Sequence, residues 1–147
     1  MRLPAMNRTA RVDSLLARRE GAQIFKTDVV HEGGNMEVNG KGTLIVCESA
    51  VKSRKPNLTK EYIESEFKRV SGLTHVIWLK QGLDDDPNGF YRRIAGNYVG
   101  DGVQHSDEFV RFSDASTISL GWVDESEKDL SPENRLNYER LNESFEP

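Results

Sequence analysis

The sequence predicts an α/β fold of about two ββαβ-like units, with mixed sheets and covering helices. Three observations predict it. Short apolar runs of strand composition stand at Thr43–Cys47 and His75–Leu79, with an amphipathic helix pattern between them. An Asn39-Gly40 pair leads into the first run and marks a hairpin, since both residues tolerate positive φ. A second cycle of strand-like runs and a capped helix then begins near Glu108.

The elements follow in order. Arg8 to Glu20 puts Val12, Leu15 and Leu16 on one helical face, and Gly21 stops that helix. Gln23–Lys26 and Val29–Val30 read as short strand-like pieces, interrupted by the paired glycines of Glu32-Gly33-Gly34-Asn35. Met36–Asn39 and Thr43–Cys47 form the hairpin around Asn39-Gly40-Lys41-Gly42. Ser53–Leu58 reads as a loop. Thr59 caps a helix over Lys60–Val70 that buries Ile63, Phe67 and Val70, carries Tyr62 and Glu66 at its edges, and ends at Ser71-Gly72. His75–Leu79 has the composition of a buried strand. Lys80–Gln104 is a long glycine-rich loop holding Asp84-Asp85-Asp86, Tyr91, Arg92, Arg93 and Tyr98; so long a loop in a compact domain reads as partly ordered and beside a site. Glu108–Phe112 and Thr117–Val123 are strand-like. Ser131 caps the last helix, with Pro132 at its first position, Glu133 in its first turn, and Tyr138, Leu141 and Phe145 on its apolar side. The units run from about 23 to 80 and from about 105 to 147 within one domain over 1–147, the second stopping at Pro147 before a closing strand. Open sheet edges at both ends predict partners: missing units of the same kind, or a second copy of the chain.

Composition excludes several classes. A formal charge of -4 argues against nucleic acid, which needs a basic footprint. No apolar stretch reaches membrane-span length, and Met1–Met6 lacks the apolar core of a signal peptide. The expectation is a soluble, cytoplasmic protein without cofactors. The one cysteine, Cys47, excludes an internal disulfide and reads as a buried, inert strand residue on the face of Thr43 and Ile45. Asp84-Asp85-Asp86-Pro87-Asn88-Gly89 lacks the spaced ligands of a calcium loop and reads as solvated. His31 and His75 show no metal-ligand spacing. Arg92 and Arg93, with Tyr91 and Tyr98, read equally as a substrate entrance or a solvated face.

Two constellations can carry chemistry. In His105-Ser106-Asp107-Glu108, a strand beginning at Glu108 would point His105 and Asp107 the same way. A histidine trades protons near neutral pH, and a carboxylate accepts paired hydrogen bonds from a planar guanidinium. Taken alone, a His-x-Asp pair is more often an ordinary surface feature. In Glu32-Gly33-Gly34-Asn35, the glycines let backbone pass close to another group, and an interior Glu32 would orient a histidine and favour its charged form. From spacing alone that segment is an ordinary turn.

Taken together, these segments resemble one family. Glu32-Gly-Gly-Asn-Met-Glu-Val-Asn-Gly-Lys-Gly-Thr-Leu, Asn57-Leu58-Thr59-Lys60, Val76-Ile77-Trp78-Leu79-Lys80-Gln81-Gly82-Leu83 and His105-Ser106-Asp107-Glu108-Phe109-Val110-Arg111-Phe112 are similar, in order and spacing, to segments of the agmatine deiminases and Porphyromonas-type peptidyl-arginine deiminases. The resemblance covers roughly residues 8 to 145. It implies a pentein fold, an α/β-propeller of five ββαβ-like units, of which this chain would hold a part. It implies a hydrolase of guanidine C–N bonds, converting agmatine to N-carbamoylputrescine and ammonia on the way to putrescine, or acting on peptidyl-arginine. In that chemistry a cysteine thiolate attacks the guanidinium carbon. The resemblance assigns acid–base work to His105, guanidinium binding to Asp107 and support of His105 to Glu32. It puts the nucleophilic cysteine beyond Pro147 and a second aspartate before Met1, so this chain alone would be inactive. The family's Asp-Gly-His approach is here Asp101-Gly102-Val103-Gln104-His105, with two extra residues. A reading from another class is a non-catalytic guanidine-binding or interaction module.

Overall fold

The computed structural model describes residues 12–83, 93–94, 98–99 and 104–145. Its centre is a three-stranded sheet in the order β1 (Glu37–Val38), β2 (Thr43–Cys47), β3 (His75–Leu79). The β1–β2 hairpin is antiparallel, with Glu37 opposite Ile45. Asn39 closes it: its Oδ1 accepts from Lys41 and Thr43 N–H at 2.9 Å each, while Gly40 and Gly42 take the positive φ the turn requires (67° and 95°). β2 and β3 are parallel, from Thr43 opposite His75 to Cys47 opposite Leu79. Parallel strands need a long crossover, here α2 (Glu48–Arg54) and α3 (Lys60–Ser71).

α3 forms as the sequence predicts. Thr59 Oγ1 accepts from Tyr62 N–H at 3.2 Å, and Gly72 ends the helix in the left-handed conformation (φ 67°). Its buried face is Ile63 and Phe67, both fully buried and each contributing about 1.5–3 kcal/mol; Val70, expected beside them, is only partly buried in the last turn.

β2 is buried on both faces. Leu44 and Val46 pack with Val51, Ile63 and Phe67 on the helical side. Ile45 and Cys47 face a second cluster with Leu79, Phe109, Val110 and Leu141. That second cluster joins the sheet to β6 (Val110–Phe112), β7 (Ile118–Leu120) and α4 (Pro132–Phe145). β6 and β7 are an antiparallel pair. Ser131 caps α4, its Oγ accepting from Asn134 N–H at 3.0 Å. Among the contacts that tie this half to the first, Glu37 Oε1 accepts from Phe112 N–H at 2.8 Å, and Asn39 Nδ2 donates to the Ala115 carbonyl at 2.9 Å.

Several sequence expectations are corrected. Gln23–Lys26 and Val29–Val30 form no strand. Side chains of α3 hold this segment instead: Arg69 Nη2 donates to the Lys26 carbonyl at 2.7 Å and Tyr62 Oη to Asp28 Oδ1 at 2.7 Å. Ser53 and Arg54, expected in a loop, end α2. β3, expected to be buried, is buried at Leu79 only, alternates along its length and leaves Ile77 exposed, because β2 is its neighbour on one side alone among the described residues. Glu108 does not begin a strand; Ser106–Glu108 is a 3-10 turn. Thr117–Val123 shortens to β7. The first helix, α1, spans Val12–Arg19 with Val12, Leu15 and Leu16 exposed. Within the long loop two paired two-residue strands are described, β4 (Arg93–Ile94) and β5 (Tyr98–Val99); Asp84-Asp85-Asp86, Tyr91 and Arg92 lie outside the described residues. No helix among the described residues is long and apolar enough to cross a membrane.

Candidate active site

Two 3-10 turns meet at one end of the central sheet: Gly33–Asn35, just before β1, and Ser106–Glu108, just before β6. Asn35 welds them. Its side chain is fully buried; its Oδ1 accepts from Cys47 N–H at 2.8 Å and Ser106 N–H at 3.3 Å, and its Nδ2 donates to the Cys47 carbonyl at 3.0 Å. One amide thus fixes the segment carrying His105 and Asp107 against the end of β2.

The turns approach closely because Gly34 has no side chain. A Cβ there would lie 2.9 Å from both carboxylate oxygens of Asp107 and closer still to His105 Nδ1. Its neighbour Gly33 faces open space. Behind the histidine, Gly82 plays a similar part, since a Cβ on it would sit 2.7 Å from the backbone of Gln104. Gln104 itself is buried and turns with φ 54°, the unusual non-glycine conformation that swings the chain from the long loop into His105.

The structure brings Glu32 and His105 together, with Oε2 and Nε2 3.0 Å apart. Glu32 precedes the first turn on extended backbone (φ -118°, ψ 140°). It was expected in the interior but is only partly buried, its side chain 31% exposed against 14% for His105. Its other oxygen, Oε1, accepts from Arg54 Nη2 at 2.7 Å and Nε at 3.2 Å. Partial burial alone would raise the Glu32 carboxyl, but hydrogen bonds and charge from His105 and Arg54 outweigh it and hold the carboxyl below its usual pKa. A carboxylate only accepts hydrogen bonds, so in this pair Nε2 carries the proton and Nδ1 faces Gly34 and Asp107.

Asp107 lies at the rim, its side chain 36% exposed, with Arg111 Nη1 3.8 Å from Oδ2. Arg111 also reaches Glu37, at 3.5 Å. Cys47 is fully buried beneath the two turns. Burial, then the negative charges of Glu108 and Asp107, push its thiol up to about 12, so it is neither exposed nor a thiolate near neutral pH.

Sequence reasoning missed Arg54 and Asn35 as individual contributors. Asn35 sat inside a quoted motif, but nothing marked its amide as the link between the turns. Arg54 carried no signal, since its helix was read in part as loop.

A family model of the Porphyromonas-type peptidyl-arginine deiminases matches residues 2–146. The chain belongs to this family. An agmatine deiminase of Medicago truncatula is 33% identical over 142 residues, covering 91% of this chain and 32% of the relative. Among solved structures, the agmatine deiminase of C. jejuni with substrate bound superposes with a TM-score of 0.62 at 25% identity, over 90% of this chain and 37% of that one. The agmatine deiminase of Enterococcus faecalis gives a TM-score of 0.64 at 24% identity, over 90% and 33%. The fold is therefore a partial pentein propeller, and the chain spans about a third of the length of these family members.

Proposed function

We propose that the protein carrying this chain hydrolyses a guanidine C–N bond, with agmatine as substrate, and that the chain supplies the proton-transfer and guanidinium-binding wall of the site. The observation that carries this reading is the Glu32–His105 contact at 3.0 Å with Asp107 beside it across Gly34. Asp107 accepts hydrogen bonds from the guanidinium nitrogens, at the carboxylate that the Arg111 guanidinium approaches to 3.8 Å. Glu32 holds one proton of the His105 imidazolium on Nε2, and the second, on Nδ1, is the proton that faces the substrate side. A cysteine thiolate bonds to the guanidinium carbon, and the C–N bond breaks as His105 gives a proton to the departing ammonia. His105 then takes a proton from water, which attacks the thiouronium carbon and expels the thiolate. Cys47 is not that thiolate, because its sulfur is buried and its thiol stays protonated. The proposal divides the chain into two propeller units, about 23–80 and about 105–147, with the site residues drawn from both.

The test is ammonia release by the complete gene product from agmatine and, separately, from peptidyl-arginine. Turnover that falls by at least about 10²-fold in His105→Ala and in Asp107→Asn supports the reading. No ammonia from any guanidine removes it. The isolated chain is expected to give no turnover, and an activity there that Cys47→Ala abolishes would overturn the exclusion of Cys47. The inertness of Cys47 also favours a second reading, a guanidine-binding module, which calorimetric binding by a complete gene product without turnover would select.

A further inference from the structure

We infer that Arg54 is a positioning residue, holding one oxygen of Glu32 so that the other is presented to His105. The inference rests on the reading of His105 as the proton-transfer group. Its starting point is how the carboxylate is divided. Nε and Nη2 of Arg54 both reach Oε1, and Oε2 is left for His105. Glu32 has little else to fix it. It sits on extended backbone before two glycines, outside any helix or strand. A glutamate with free side-chain torsions would spread over several rotamers, and only some of them reach the imidazole.

Arg54 is well placed to remove that freedom. It ends α2, which starts directly after Cys47, and Lys55 N–H closes the helix onto the Val51 carbonyl at 3.1 Å. Cys47 is the residue whose backbone Asn35 grips while it holds Ser106. The arginine and the histidine segment are therefore both referenced to the end of one strand. The side chain of Arg54 is 43% exposed, so as an ion pair it adds little to stability. Its fork is planar and stiff, which suits it to fixing a carboxylate's orientation, where a lysine would offer only a point charge.

The test is nuclear magnetic resonance of the histidine ring protons in the 147-residue chain uniformly labelled with nitrogen-15. In the native chain the His105 Nε2 proton, bonded to Glu32, exchanges with water more slowly than the ring protons of the exposed His31 and His75. In Arg54→Met that exchange rises about fivefold, the upper end for loss of a partly exposed ion pair, while the Asn35, Cys47 and Ser106 amide signals stay in place. Arg54→Lys falls between the two. An exchange rate in Arg54→Met equal to native overturns the inference. If Arg54→Met does not fold, a native rate in Arg54→Lys overturns it. In the complete gene product the expected signature is a several-fold lower kcat at unchanged KM; a change in KM alone contradicts it. A product that releases no ammonia while the ring proton responds as stated sinks the proposed function and leaves the positioning role standing.

Discussion

Adjacent glycines at 33 and 34 make a sharp experiment, because a methyl group has opposite consequences at the two positions. Neither has a positive φ, so alanine fits either backbone. At Gly33 nothing lies within 4 Å of a new Cβ. Gly33→Ala should be neutral or stabilise by about 0.4–1 kcal/mol through the unfolded chain. At Gly34 the same methyl overlaps His105 Nδ1 and lies 2.9 Å from both Asp107 oxygens. Ordinary van der Waals separation requires the imidazole to retreat by about 1 Å. That takes the imidazole off the position in which Nε2 lies 3.0 Å from Glu32 Oε2. The stability cost is about 1–3 kcal/mol, typical of a side chain forced into a packed place, and leaves the chain folded. The expected loss in kcat is about 10²-fold, the scale of a 1 Å misplacement of a reacting group. The assays are urea denaturation of the chain and ammonia release by the complete gene product, with both variants side by side. Turnover in Gly34→Ala within threefold of Gly33→Ala would refute the reasoning, since it would mean the turns need not touch.

Three further outcomes follow from the same geometry. Ellman's reagent at pH 8 should label Cys47 about a thousandfold more slowly in the folded chain than in guanidinium, because burial pushes its thiol up to about 12; labelling within tenfold of the unfolded rate contradicts its burial. Asn35→Ala should destabilise by about 3 kcal/mol in urea, because it strips buried backbone groups of Cys47 and Ser106 of their partner; a loss under about 1 kcal/mol would show that the amide is dispensable. The Glu32 carboxyl is held below its ordinary value of 4.5, so its stabilisation is present above that pH and is lost as pH falls through the lower folded-state pKa. The stability gap between native chain and Glu32→Gln should therefore shrink below pH 4.5, and a gap constant from pH 7 to pH 3 would rule out this linkage.

The frame of the fold was legible where local chemistry and burial agree. The Asn39-Gly40 turn, the Thr59 and Ser131 caps and the Ile63–Phe67 spacing each act over a few residues, and each stands where the sequence indicates. α2 was missed because seven residues following a strand without a break show too little periodicity. Residues 23–30 misled because their strand-like composition says nothing of which groups satisfy the backbone, and side chains of α3 do so. At the site, Glu32 and His105 were named from the sequence and lie 3.0 Å apart. Arg54 was not named, since its partner is a loop residue far away in sequence and an arginine after a serine carries no pattern.

His105 is boxed in by two places where a side chain is missing, Gly34 in front and Gly82 behind Gln104. Any substitution meant to reshape this site has no slack on either of those sides, where one carbon atom is already too many. The room to manoeuvre is at the rim, around Arg111, whose side chain is 61% exposed.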